Sequence, residues 1–370
     1  MSKIIALYLP QFHEIKENNE WWGKGFTEWT NVKEAKKYSK YQRQPRVPLD
    51  NNYYDLSEYE GIKYQVDIAN KYGIDGFCIY HYYSVGQKLL ERPSEVILEN
   101  KDLAIQFFFS WANHDWRRVW ASSSKEMLRK QEYGNKSEIK KHFLYLLKFF
   151  KDERYIKIEN KPVLSIYQDI EEETFKLIYE IFNSEAINNG FGGIYWIGTM
   201  SSKDTKFSIN MNNYFRFEPN FSKTKVSSSK ILYQKIRIKF FDFLNEKLSI
   251  KVPMSLDYLK MSNQIYSSSL NEKSFLLGYF TGWDNTPRYK HKGYYYKNET
   301  LEVFSEYFEK IYRLSVEKED PFFIINAWNE WGEGAYLEPD TYNGFSYLEE
   351  IKNIKDKIGG YSIETKIKRN

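Results

Sequence analysis

Cysteine is nearly absent from this chain. Its one cysteine, Cys78, sits inside an apolar run, which excludes a disulfide framework and a cysteine-ligated metal site. A surplus of charge is lacking as well. The 54 basic and 50 acidic residues leave a net charge of +4, too mild to point to nucleic acid as a partner. Long hydrophobic runs are also missing. The first apolar stretch, Ile4–Leu9, stops at Pro10 and is too short for a signal peptide's apolar region. No stretch approaches the ~20 apolar residues of a membrane span. The cytoplasm is therefore the expected location. Histidine is sparse, and the pair His114–Asp115 has no second histidine cluster to complete a metal site, so no metal is expected.

Aromatic residues are what the chain has in excess. They make up 18% of it: 32 Tyr, 26 Phe and 10 Trp. A core needs Phe; it does not need so many Tyr and Trp, which carry a polar edge on a flat apolar face. Two sources fit. One is a wall for a sugar, whose C–H faces pack on aromatic rings. The other is an A/T-rich genome, consistent with abundant Lys, Asn and Ile, although it does not explain the ten Trp. With 42% apolar and 28% charged residues, the composition is that of a soluble globular protein. The length allows one large barrel or two ordinary domains.

No low-complexity linker divides the chain. Short apolar runs alternate with amphipathic stretches. Eight runs read as strands: Ile4–Leu9, Ile74–Tyr80, Leu103–Ser110, Pro162–Tyr167, Gly193–Gly198, Tyr214–Phe217, Ser274–Phe280 and Phe322–Trp328. Between them lie helical patterns such as Leu56–Tyr72, Lys136–Lys151, Glu171–Asn188 and Thr300–Glu317. Eight alternating units imply a parallel (β/α)8 barrel over a single domain, residues 1–370, with a core of about 3–340 and a C-terminal helix and tail. A doubly wound sheet is the alternative, but Tyr8-Leu9-Pro10-Gln11 is no glycine-rich phosphate turn. Residues 223–247 are basic with interleaved apolar positions. They read as a solvated helix on the barrel exterior in preference to one in peripheral contact with a membrane.

Chemistry-bearing residues gather where the strands end. In a barrel these ends share one face, and that is the face where such enzymes work. After the first strand come Tyr8 and Gln11, then a long Trp-rich loop with Trp22, Glu28 and Trp29. Loops of that length tend to be functional, and a tryptophan in a loop is expected to wall a substrate. After the second strand stand His81 and Tyr82. After the third stand Trp111, Asn113, His114 and Asp115, read as hydrogen-bonding a sugar. After the seventh stand Trp283 and Asp284, where Asp284 suits either an Asx turn or the grip of a sugar diol. The last strand leads into Asn329, Glu330, Trp331 and Glu333. Two carboxylates three residues apart and walled by indoles suit acid/base work, because an apolar surround raises one carboxyl's pKa until it donates near neutral pH. Salt bridges to loop arginines are the structural alternative.

The segments ALYLPQFH, WWGKGFTEWTNV, YGIDGFCIYHYY, FFFSWANHDW, KPVLSIY, GYFTGWDNTPR and NAWNEWGEGAYLEPD, taken in order, resemble the WbsX family. That family is described as glycosyltransferases and as proteins with a glycoside hydrolase family 99-like domain. The resemblance implies a (β/α)8 barrel acting on a carbohydrate of bacterial surface-polysaccharide synthesis, O-antigen or capsule, without a cofactor. The related family 99 enzymes are retaining endo-acting α-mannosidases and α-mannanases. In them a glutamate matching Glu330 is held to act as base on the sugar's 2-hydroxyl, giving a 1,2-anhydro sugar. One matching Glu333 protonates the leaving oxygen. Gly332 stands here in place of the hydrolases' histidine. Glycosyl transfer is favoured slightly over hydrolysis, although the chain has no Asp-x-Asp pair of the kind that holds Mg²⁺ and a sugar nucleotide. A non-catalytic sugar-binding barrel is a third class, against which both glutamates count.

Overall fold

The structure is a computed structural model. It describes residues 1–118, 126–223, 236, 240, 243 and 252–367. Eight parallel strands form a barrel: β1 Lys3–Tyr8, β2 Gly76–Ser84, β3 Gln106–Trp111, β4 Lys161–Ile166, β5 Tyr195–Met200, β6 Asn213–Arg216, β7 Gly278–Phe280 and β8 Phe322–Asn326. Each pairs with the next from β1 to β6, β7 pairs with β8, and β8 pairs with β1. A parallel bridge between Phe215 and Leu276, just ahead of β7, closes the ring. All eight expected strands are present, with ends displaced by a few residues.

The strands are apolar on both sides because both sides are covered. Phe108 of β3 and Phe322 of β8 are not on adjacent strands, yet their rings lie 5.5 Å apart across the interior. The outer faces pack under helices. In the helix Lys136–Phe150 the buried positions are Ile139, His142, Phe143, Leu146, Phe149 and Phe150, one stripe at helical spacing. Leu301–Glu317 buries Phe304, Tyr307, Phe308, Ile311 and Tyr312 in the same way. Each fully buried aromatic contributes about 1.5–3 kcal/mol. Side chains cap the starts. The Asn135 carboxamide oxygen accepts from the N–H groups of Ser137 and Glu138, and Glu171 accepts from those of Glu173 and Thr174.

The Trp-rich segment after β1 is not an open loop. It folds into two short helices, Lys16–Trp22 and Glu28–Lys33. Among the described residues no helix is long and apolar enough to cross a membrane. The basic segment 223–247 falls almost wholly outside the described residues. Of those described, Ile236, Phe240 and Phe243 are exposed.

Candidate active site

After β8 the chain turns back on itself. Asn329–Glu330 pairs antiparallel with Ala335–Tyr336, and Trp331–Glu333 makes a single 3-10 turn between them. Three residues per turn bring positions i and i+3 to the same side, so Glu330 and Glu333 point the same way. Gly334 closes the turn with a φ of 63°, the left-handed region where glycine carries no penalty. The neighbouring segment is pinned to this turn by the Asp284 N–H, which donates to the Glu333 carbonyl at 2.6 Å.

Both carboxylates share one guanidinium. Arg288, on the short helix Thr286–Tyr289, donates from Nη2 to Glu330 Oε2 at 2.9 Å and from Nη1 to Glu333 Oε1 at 2.7 Å. Its Nε donates to Glu28 Oε1 at 2.7 Å. Burial pushes the Glu333 carboxyl up to about 7; Arg288 pulls it down, and the charges of Glu330 and Glu28 push it up again. Burial likewise raises Glu28, against the pull of Arg288.

Glu330 and Glu333 open onto a cleft of about 660 Å³ at the C-terminal mouth of the barrel. Gln11, Trp22, Tyr82, His114, Asp115 and Trp283 line it with them. Three polar atoms of this wall have no hydrogen-bond partner among the described residues: Gln11 Nε2, His114 Nδ1 and Trp283 Nε1. Asp115 is held by the Gln131 N–H and by Arg117, which keep its carboxyl below the usual range. Among the described residues no group of three or more His, Cys, Asp or Glu side chains is arranged to hold a metal ion.

The other expected contacts lie behind the wall. Successive residues of a strand point to opposite faces, so Tyr80 and Tyr82 face the cleft and His81 faces the helices. There His81 Nε2 meets His142 Nε2 at 2.8 Å, and burial pushes His81 down to about 3. Trp111 is turned outward in the same way and donates to the Tyr83 carbonyl at 3.1 Å. Two asparagines use their side chains on backbone. Asn329 Oδ1 accepts from Leu9 N at 2.7 Å and its Nδ2 donates to Leu9 O at 2.9 Å. Asn113 clamps both backbone groups of Gln168. Asp284 forms an Asx turn with Thr286 and also accepts from Gln42. Trp29 has a core to fill after all: it packs on Phe12, Tyr54 and Trp331, with its N–H on the Tyr54 carbonyl. Tyr8 donates to Gln65, and Trp331 donates to Glu338. Glu28 reaches the site only through Arg288.

Sequence reasoning missed Arg288 as the hub, and Tyr80, Trp116 and Tyr294 as cleft residues. The signal for Arg288 was its place at the end of GWDNTPR, a motif adjoining a strand end. Nothing in the sequence pairs residue 288 with residues 28, 330 and 333.

Residues 4–351 match the family described as glycosyltransferase WbsX. The chain belongs to that family. It is 29% and 28% identical, over 362 residues, to the uncharacterized protein WxcX of two strains of Xanthomonas campestris pv. campestris. These matches cover 95% of this chain and 49% of the relatives, so the chain spans about half the length of the curated relatives it matches. The fold is similar to that of the glycoside hydrolase family 99 endo-α-mannosidase from Bacteroides thetaiotaomicron. The TM-score is 0.57 at 12% identity, covering 98% of both chains. A glycoside hydrolase-like protein follows at 0.55 and 12%, covering 95% of this chain and 93% of its own. At such identities the likeness establishes the (β/α)8 barrel alone.

Proposed function

We propose that this WbsX protein is a retaining carbohydrate-active enzyme that forms a glycosidic bond, α-mannoside-like, in bacterial surface-polysaccharide metabolism. The observation that carries the proposal is the pair Glu330 and Glu333, held side by side on one turn and one guanidinium at the foot of an aromatic cleft. Glu333 is the general acid and then the base for the acceptor. Its raised pKa keeps a proton available near neutrality. Glu330 is the base on the donor sugar's 2-hydroxyl, which displaces the leaving group from the back and gives a 1,2-anhydro intermediate. The acceptor then opens it with retention. Tyr82, Trp22 and Trp283 supply faces for sugar rings, and Gln11, His114 and Asp115 are polar members of the same cleft wall that suit sugar hydroxyls.

Hydrolysis is the second reading, favoured by the barrel's likeness to an endo-α-mannosidase. The cytoplasm, an oligosaccharide or lipid-linked glycan as substrate, and independence from metal and cofactor belong to the same proposal. Peripheral contact with a membrane through residues 223–247 is the lesser alternative to a solvated exterior helix there. That contact is supported by exposed Ile236, Phe240 and Phe243, and vesicle co-sedimentation tests it.

The central test is product analysis with synthetic α-mannosides and candidate activated donors, with and without acceptor sugars. A product of retained anomeric configuration that requires the acceptor supports transfer. The same retention with water alone supports hydrolysis, and an inverted product overturns the mechanism.

A further inference from the structure

Glu28 lies outside the cleft lining, yet it is fully buried and touches the one cation that both glutamates share. It comes from the far side of the sequence, on the short helix after β1. Its Oε1 accepts a hydrogen bond from Arg288 Nε at 2.7 Å, while among the described residues its Oε2 accepts none. The ion pair runs directly over Gly332. A Cβ built on that glycine would stand 1.9 Å from Glu28 Oε1 and 2.8 Å from Arg288 Nε. Gly332 lies between Glu330 and Glu333 in the turn, so the Glu28–Arg288 pair occupies the space that any side chain between the two glutamates would need.

Arginine has a long side chain with many rotamers, and its guanidinium is flat with three hydrogen-bonding edges. Gripping one edge fixes the plane and aims the other two. Here the Nε edge is gripped by Glu28, and the two Nη groups reach different carboxylates at 2.7 and 2.9 Å. The helix that carries Arg288 is four residues long and supplies little rigidity of its own.

We propose that Glu28 is a positioning residue: by holding Arg288 Nε over Gly332 it aims the guanidinium so that Glu330 and Glu333 are held together in reacting register. The inference rests on the reading of those two glutamates as the reacting pair. Glu28 touches no reacting atom; it acts through Arg288. Bare glycine at 332 is part of the device, because even a methyl group there would drive Glu28 off its arginine.

The first test needs no substrate, so it separates this inference from the proposed function. In a crystal structure of Glu28→Gln, Arg288 should leave at least one of Glu330 and Glu333. Arg288 still bound to both overturns the inference, whatever the enzyme's activity. The kinetic test uses whichever glycosidic substrate the product analysis identifies. There Glu28→Gln should lower kcat by up to ~10²-fold, the scale of an ångström-sized misplacement, while KM stays within about twofold. A rise in KM at unchanged kcat overturns it, as does wild-type kcat with a displaced arginine. If Glu28→Gln does not fold, Glu28→Ala with Gly332 kept is read for the same displacement of Arg288 and the same split, so that no added methyl group moves the arginine by itself.

Discussion

Glu333 is buried beside Glu330 and Glu28, and Arg288 offsets that crowding in part, so its proton leaves at about pH 7. The acid form is the one that protonates a leaving oxygen. Reaction of substrates with poor leaving groups should therefore decline as pH rises through about 7, and hold on the acid side of that limb. Glu333→Gln should abolish this reaction, a loss of order 10²–10⁴-fold, while sparing activated aryl glycosides more. Equal losses for both substrate types contradict the assignment. Glu330→Gln should impair both types, because attack at the anomeric carbon needs its base whatever departs. Two tryptophans offer a contrast. Trp283→Ala should weaken binding of a sugar ligand, read by calorimetry on the folded variant, as well as cost stability, because this buried ring both lines the cleft and stacks on Tyr294. Trp29→Ala should cost about 3–5 kcal/mol of stability, read by urea unfolding, because it empties a packed site of Phe12, Tyr54 and Trp331.

At the scale of elements, the turn that carries the glutamates is tied down from behind by Glu338. Its Oε2 accepts from Tyr54 Oη and Trp331 Nε1, both at 2.6 Å, and its Oε1 from Gln65 Nε2 at 2.7 Å. Tyr8 of β1 extends the chain by donating to Gln65. Burial raises this carboxyl to about 7 despite three donors that favour its charged form. One side chain thus joins the segment after β1, the helix Tyr59–Lys71 and the turn after β8. Glu338→Ala should orphan three buried donors at about 1–3 kcal/mol each, read by chemical unfolding. Asn329→Leu should act likewise on a smaller scale, since it strands the Leu9 N–H and C=O. A loss under about 1 kcal/mol in either variant contradicts these ties.

For the molecule as a whole, the barrel was legible because each strand is a compact apolar run and each helix a striped one. The mouth was legible only in part. The end of a strand says which residues are near the site, not which way they face. Alternation along β2 separates His81 from Tyr80 and Tyr82. Asn113 and Asn329 look like sugar ligands in sequence, but their side chains are consumed by neighbouring backbone. Tryptophan is ambiguous for a similar reason: Trp196, Trp328 and Trp331 fill the interior, while Trp22, Trp116 and Trp283 line the cleft. On the barrel's flank, the helix Ser346–Ile367 buries Tyr347, Leu348, Ile351, Ile354 and Ile358, and Lys355 pairs with Asp75 just ahead of β2 at 2.7 Å. Ending the chain after residue 345 should therefore forfeit more than about 5 kcal/mol and leave the protein insoluble or unfolded, measured by expression and circular dichroism. A folded, soluble truncation contradicts this.

Glu330 and Glu333 belong to a single turn, so their separation is a local property of four consecutive residues and does not depend on how eight strands breathe against one another. Their cation belongs to the preceding strand's exit. For protein engineering the portable unit is therefore three stretches: residues 282–289, residues 329–336 and the helix Glu28–Lys33 that holds Arg288. A graft of the second alone would deliver the carboxylates to a new barrel without the guanidinium that keeps them from repelling each other.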